Sequence, residues 1–174
     1  MESKYAWFYS LNCYLLSSIA SVLTIIQIIL AFLLYEDRME VLQSMGWICL
    51  WIAGLFGVLP IITFRKRGGV EKGDSYINTT IMVDTGIYAI ARHPQNGTAW
   101  LMINLGVILI AWHWTSLVLG LISMVFVYLD TFKADQYCIQ KFGDQYEDYI
   151  LRVPRVNFIL GFIRHMRGDQ NARL

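Results

Sequence analysis

Two long uncharged runs dominate the hydrophobic pattern of this chain. Residues 14–35 and residues 46–64 contain no Asp, Glu, Lys or Arg. Because a helix of roughly 20 apolar residues crosses a hydrocarbon core ~30 Å thick, each run has the length of one membrane span. Both runs therefore predict transmembrane helices, with Pro60 tolerated as a kink near the end of the second.

A third apolar block, residues 98–129, is too long for one span and is interrupted by Trp112, His113 and Trp114. Amphipathic aromatic side chains of this kind are enriched where a membrane meets water. The block therefore predicts a hairpin of two shorter helices, at about 98–111 and 115–129. Together these patterns predict an all-α, polytopic membrane protein with four transmembrane helices in a single membrane domain, residues 1–174.

Composition supports this class of protein. Hydrophobic residues make up 56% of the chain, charged residues only 16%, and the mean hydropathy is +0.48, which disfavours a soluble helical bundle. The three cysteines include no close pair, so we expect neither a disulfide nor a metal site. A net charge of +1 gives no indication of a nucleic-acid partner. The first apolar run has no cleavage signal behind it, so we expect it to remain in the mature protein.

The basic residues predict the orientation, because short loops rich in Lys and Arg stay in the cytoplasm. With the N-terminus inside, all 14 Lys and Arg residues except Arg38 lie on the inner side. Both termini are then cytosolic. The outer segments are too short to hold a site, so we expect the functional residues in the loop 65–97 and the tail 130–174, and we expect these two segments to meet. The same basic clusters, at 65–67 and 164–173, are also explained by topology and by attraction to anionic membrane lipids.

The inner loop contains one compact polar motif, Arg92-His93-Pro94. Proline is favourable at a helix start, because its missing N–H would have no partner there. Arg92 and His93 would then lie beside the positive end of the following helix, which suits an anionic group such as a carboxylate. The alternative is that the side chain of Arg92 only extends to the membrane surface and that His93 is an interfacial residue with satisfied hydrogen bonds. No nucleotide-binding glycine motif occurs in the chain.

The tail predicts two consecutive helices. The fourth membrane helix should continue into the cytosol and end at Gly143, and a short amphipathic helix should follow over 144–153 until Pro154. Asp130 and Asp135 lie just beyond the predicted span. Each carboxylate has two possible roles, either in an ion pair with a neighbouring cation or in binding a ligand.

An ordered set of motifs extends over about residues 80–155. They are Gly86-Ile87-Tyr88, Arg92-His93-Pro94, Lys133-Ala134-Asp135, Phe142-Gly143-Asp144-Gln145-Tyr146, Tyr149 and Val153-Pro154-Arg155. This set resembles the membrane methyltransferases of the isoprenylcysteine carboxyl methyltransferase and phospholipid methyltransferase group.

The resemblance implies S-adenosylmethionine as cofactor, bound on the cytosolic side. Carried over by position, it implies cofactor-binding residues at Met82, Val83, Gly86, Tyr88, His93, Pro94, Asp135 and Tyr146. It implies catalytic residues at Arg92, His93, Tyr149 and Arg152, with Tyr146, Tyr149 and Arg152 near the acceptor.

The chemistry of the cofactor agrees with these residue types. A sulfonium cation favours a carboxylate and aromatic faces, and the methionyl carboxylate favours Arg or His donors, so Asp135 and His93 would divide the two tasks. The acceptor is expected to be a small lipophilic molecule from the bilayer, similar to an isoprenylcysteine carboxylate or to a phospholipid.

Two other functions are compatible with the residues. One is a membrane reductase of the steroid-reductase type, which would bind NADPH and place acid and base groups beside a carbonyl. The other is a non-enzymatic membrane scaffold of four helices whose inner loops bind a partner protein.

Overall fold

The structure is a computed structural model that describes residues 13–34, 39–70, 73 and 79–168. Several residues used for the topology prediction, including Arg38, Lys72 and Arg173, lie outside the described residues.

The described residues are helical almost throughout and contain no β-strand, which confirms the all-α prediction. The α-helices are α1 (Cys13–Leu33), α2 (Glu40–Arg67), α3 (Trp100–Ala111), α4 (Trp114–Phe142), α5 (Asp144–Arg152) and α6 (Phe158–Met166). A 3-10 helix, Gly86–Ala89, and a π-helical turn, Pro94–Ala99, precede α3.

Three of the described helices are long and apolar enough to cross a membrane. These are Leu15–Leu33, Glu40–Arg67 and Trp114–Phe142. The chain is therefore a membrane protein. The helix α2 is longer than predicted, because it begins with Glu40 in its first turn and ends with three basic residues in its last, charges that complement the helix dipole.

The third apolar block is divided where the sequence predicts. Trp112 has a φ of 40°, a left-handed conformation that ends α3. The ring of His113 accepts a hydrogen bond from the backbone N–H of Thr115 (3.3 Å), and α4 begins at Trp114. The helix α4 then continues past the predicted span to Phe142 and ends at Gly143, as predicted, and the positive φ of 58° at this residue favours glycine. The predicted short helix follows as α5.

The chain forms two compact units, each built from two separate stretches. The first unit combines Met1–Leu50 with Leu101–Tyr137, and the second combines Trp51–Trp100 with Cys138–Leu174. The first unit thus contains most of the apolar helices, and the second contains nearly all of the motif residues.

A cluster of buried polar side chains joins three helices of the first unit. Nε2 of Gln27 in α1 donates to the backbone oxygens of Asn104 in α3 and Ser116 in α4, at 3.2 Å each. Three residues earlier in α1, the hydroxyl of Thr24 donates to Oδ1 of Asn104 (3.2 Å) and lies 2.8 Å from the hydroxyl of Ser123. Within a membrane such bonds hold helices together, because water does not compete for the partners.

The helices α2 and α3 approach each other closely at two glycines. A Cβ atom on Gly46 would lie 2.7 Å from the carbonyl oxygen of Gly106, and one on Gly106 would lie 2.9 Å from that of Gly46. Small residues on both sides allow the two backbones to touch, as in many pairs of membrane helices.

We expect Gly46→Ala to destabilise the protein by about 1–3 kcal/mol, because the added methyl group would meet backbone that cannot move aside. Gly54→Ala is the matched control on the same helix, since a Cβ there has no neighbour within 4 Å. That control should be neutral or stabilising by up to about 1 kcal/mol. Thermal unfolding in detergent measures both, and equal effects would contradict the close packing of α2 and α3.

Candidate functional site

The motif residues of the second unit surround a buried aromatic and aliphatic cluster. Its members are Phe56, Val83, Ile87, Tyr88, Ala91, Ala99, Tyr146, Tyr149 and Val153, with Met82 packed against it. Gly86 begins the 3-10 helix that carries Tyr88 into this cluster. The φ of 67° at Gly86 favours glycine, because other residues rarely adopt it. Space is not the reason, since a Cβ atom there would make only ordinary contacts with Thr63.

Arg92 joins the inner loop to the tail. Its Nη1 donates to the backbone oxygens of Ile150 (2.7 Å) and Val153 (3.1 Å). These carbonyls belong to the C-terminal end of α5, where helix oxygens lack partners within the helix and favour a cation. Arg92 is itself buried. The guanidinium therefore caps α5 and holds it against the inner loop.

His93 and Pro94 continue the same junction. The backbone N–H groups of Arg92 and His93 donate to the carbonyls of Pro154 and Arg155, both at 3.0 Å. The hydroxyl of Thr98 donates to the next carbonyl, that of Val156 (2.9 Å).

Pro94 opens the π-helical turn as its first residue, as predicted for a proline at a helix start. The carbonyl of His93 accepts from the N–H groups of Gly97 and Thr98, both at 3.0 Å. Single turns of π-helix occur frequently at functional sites. The imidazole of His93 is buried beside this turn.

Tyr149 makes a second link between the two segments. Its side chain is only 2% exposed, and its hydroxyl donates to the carbonyl oxygen of Tyr88 at 2.6 Å. Burial, and then the neighbouring Tyr88, raises the pKa of the Tyr149 phenol well above its usual value. The phenol is consequently neutral at physiological pH and remains a hydrogen-bond donor. Tyr88 also stacks on Phe64 of α2, with ring centroids 4.6 Å apart.

The edge of the site carries charged groups that reach solvent. Nη2 of Arg152 lies 3.5 Å from Oδ2 of Asp84, and about a third of each side chain is exposed. Such a long, partly exposed pair contributes little to stability. Next to it, Nη1 of Arg67 donates to the hydroxyl of Thr85 (2.6 Å). This edge therefore offers a cation and a carboxylate that can change partners at little cost.

The structure brings most of the predicted site residues into the second unit. Val83, Tyr88, Tyr146 and Tyr149 lie in its buried cluster, and Arg92 to Pro94 lie at the junction with residues 154–156. The predicted meeting of the inner loop and the tail is seen in these contacts. Asp135 belongs to the first unit, where it is buried near the end of α4.

Two contributions to the site were absent from the sequence prediction. Asp84, the partner of Arg152, lies two residues before Gly86, and its charge directly after the apolar residues 81–83 is the signal that could have identified it. Phe64 supports Tyr88 from the end of α2, and nothing in its sequence position distinguishes it from other apolar residues of that helix.

Comparisons of the chain with protein-family models, with curated proteins and with solved structures find no match.

We expect Tyr149→Phe to destabilise the protein by about 1–3 kcal/mol, because the carbonyl of Tyr88 would lose its donor in a buried position. Tyr137→Phe is the control, since that side chain is 63% exposed. Thermal unfolding of the purified protein compares the two. Equal loss in both variants would show that the bond to Tyr88 contributes nothing.

The difference in stability between the parent and Tyr149→Phe should also depend on pH above about 10, the usual pKa of a tyrosine. The pKa of Tyr149 is raised in the folded state, so its stabilising contribution is fully present below the unfolded pKa. Above that pH only the unfolded chain loses the proton, and the parent should lose up to about 1.4 kcal/mol per pH unit relative to the variant. Unfolding midpoints between about pH 8 and 11 test this; a gap that stays constant would contradict it.

Proposed function

We propose that the protein is an integral membrane methyltransferase that moves a methyl group from S-adenosylmethionine to a small lipophilic acceptor. The observation that carries the proposal is the junction made by Arg92 and Tyr149 in the second unit. It joins the Gly-Ile-Tyr and Arg-His-Pro motifs to the Val-Pro-Arg motif, although more than fifty residues separate them in the chain. Contact among these three motifs of the resemblance supports the proposal.

The residues of the second unit fit the polar groups of such a cofactor. The exposed edge pairs a guanidinium with a carboxylate through Arg152 and Asp84, groups that suit the carboxylate and the ammonium of an amino acid. Aromatic rings at Tyr88 and Tyr146 line the adjacent cluster, and aromatic faces favour a cation. The resemblance adds His93 as a carboxylate donor and Asp135 as the carboxylate that attracts a sulfonium.

When bound, the cofactor supplies an electrophilic methyl group whose transfer leaves S-adenosylhomocysteine. The task of the chain is mainly alignment, since a displacement in line needs the reacting atoms held in one geometry. Arg92 and Tyr149 serve it by fixing α5 against the residues before Pro94. A carboxylate or thiolate acceptor reacts without a base, whereas an ammonium acceptor must first give its proton to a group such as His93 or Asp135.

The proposal includes a four-span topology with both termini in the cytosol. The π-helical turn and α3 together form a helical stretch over 94–111, which supports a short fourth span beside the three long helices. The basic end of α2, at Arg65, Lys66 and Arg67, supports an inner position for the loop that follows. A lipophilic acceptor would then reach the site from the inner leaflet.

Thermal-shift titration of the detergent-purified protein with S-adenosylhomocysteine tests the proposal. A ligand that binds only the folded state stabilises it by about 2.7 kcal/mol at a hundred times its Kd, so the unfolding midpoint should rise with concentration. His93→Gln and Asp135→Asn should each weaken binding about tenfold, the effect of losing ~1.4 kcal/mol from a charge-assisted hydrogen bond.

The matched controls are His113→Gln, in the turn before α4, and Asp148→Asn, which is exposed on α5. Both should bind S-adenosylhomocysteine like the parent. A midpoint raised by NADPH and not by S-adenosylhomocysteine would assign the protein to the reductases instead. Failure of both compounds to stabilise the parent would favour the scaffold.

A further inference from the structure

The C-terminal helix α6 has an unusual distribution of side chains. At ~100° per residue, Ile159, Ile163 and Met166 lie together on the side of the helix opposite Gly161. These three side chains are 61%, 41% and 71% exposed. The face that points away from the protein is thus the apolar one, and water is a poor environment for it.

The opposite side of α6 is held against the inner loop. A Cβ atom on Gly161 would overlap the backbone carbonyl of Ile90, so the helix backbone lies directly on the residue that follows the 3-10 helix. The helix begins at Asn157, whose Oδ1 accepts from the N–H of Leu160 (3.0 Å). These contacts fix the rotation of α6 and leave its apolar face outward.

The first residue of α6 packs against one of the long apolar helices. The ring of Phe158 packs against Phe56 of α2, with centroids 5.1 Å apart. Phe56 precedes the basic end of α2, which starts at Arg65, by about 13 Å along the helix axis. If Arg65 lies at the headgroups, Phe158 is inside a hydrocarbon layer whose half-thickness is ~15 Å.

The last turn of α6 is basic, as expected for a helix end at the headgroup layer. Arg164 and His165 occupy that turn and Arg167 caps it. From Phe158 to Arg167 the helix is about 13 Å long, which matches the distance along α2 from Phe56 to Arg65, so its basic end can reach the headgroup level. Basic side chains at that level match the phosphates of anionic lipids.

We propose that α6 is a membrane-embedded surface helix: its Ile159, Ile163 and Met166 face contacts acyl chains, and Arg164 and Arg167 bind anionic phospholipid headgroups in the same leaflet. Because Gly161 rests on Ile90, the lipid-bound helix also supports the segment that leads to Arg92 and His93. The inference does not depend on any methyl transfer.

Spin labels test the lipid contact directly. The three natural cysteines of the full chain are replaced by alanine, and a single nitroxide label is attached at Ile159→Cys or Ile163→Cys. The labelled protein is reconstituted into phosphatidylcholine vesicles that contain about a third phosphatidylglycerol, because basic side chains bind anionic lipids. We expect both labels to be accessible to oxygen and protected from a water-soluble nickel complex. Gln145→Cys, exposed on the polar helix α5, is the control and should show the reverse. Nickel access at both α6 positions, or an immobilised label reached by neither reagent, would overturn the proposal in favour of water or a protein partner.

The headgroup contact has its own test. Native mass spectrometry compares the binding of phosphatidylglycerol and of phosphatidylcholine to the parent and to Arg167→Gln. Lys141→Gln is the control, because it makes the same change of charge at an exposed position on another helix. Arg167→Gln should lower the preference for phosphatidylglycerol about fivefold, the factor that corresponds to ~1 kcal/mol per basic residue. Lys141→Gln should retain the preference. An equal loss in both variants would show a general charge effect and would overturn the assignment to α6.

Discussion

Polar groups that leave water must find partners within the protein, and this requirement governs both units of the structure. In the first unit, Nε2 of Gln27 meets it by donating to backbone oxygens on two other helices, whereas Oε1 of the same amide is buried without a hydrogen-bond partner among the described residues. In the second, Arg92 meets it by donating to the oxygens at the end of α5. These bonds link residues that are distant in the chain, so satisfying the buried polar groups also determines which segments pack together.

This requirement separates the motif residues into two groups. Arg92 and Tyr149 use their polar atoms within the protein, and their effect on a reaction would pass through the segments they hold. Arg152 and Asp84 stand at the edge, partly exposed and weakly paired, where a ligand can replace either partner. The proposed methyl transfer would need both kinds of residue, because alignment requires a rigid frame and binding requires groups that can be exchanged.

The environment that its side chains require also explains the proposed position of α6 at the membrane surface. An apolar outward face is costly in water and favourable in lipid, while basic residues at the end of the helix suit the headgroup layer. Its contact with Ile90 connects that surface to the frame around Arg92. The lipid environment would thereby help to support the proposed site.

Local features of the sequence determined where the helices lie. The aromatic break at Trp112, the glycine at 143 and the proline at 154 each act within a few residues, so the helix ends at these positions were predictable. The uncharged runs located the first two helices, although α2 extends beyond its run at both ends. The predicted meeting of the inner loop and the tail followed from the same pattern. Helix α6 was not predicted as an element, because its basic residues were explained as a charged rim.

Only the tertiary structure decided what the polar residues do. The partners of Arg92, the bond from Tyr149 to Tyr88 and the pairing of Arg152 with Asp84 each join positions about sixty residues apart or more. The close approach of Gly46 and Gly106 is of the same kind. A sequence pattern indicates whether a residue lies in lipid, in water or in a helix, because these properties depend on its near neighbours in the chain. The hydrogen-bond partner of a buried polar side chain depends instead on how distant segments pack, and only the tertiary structure shows this.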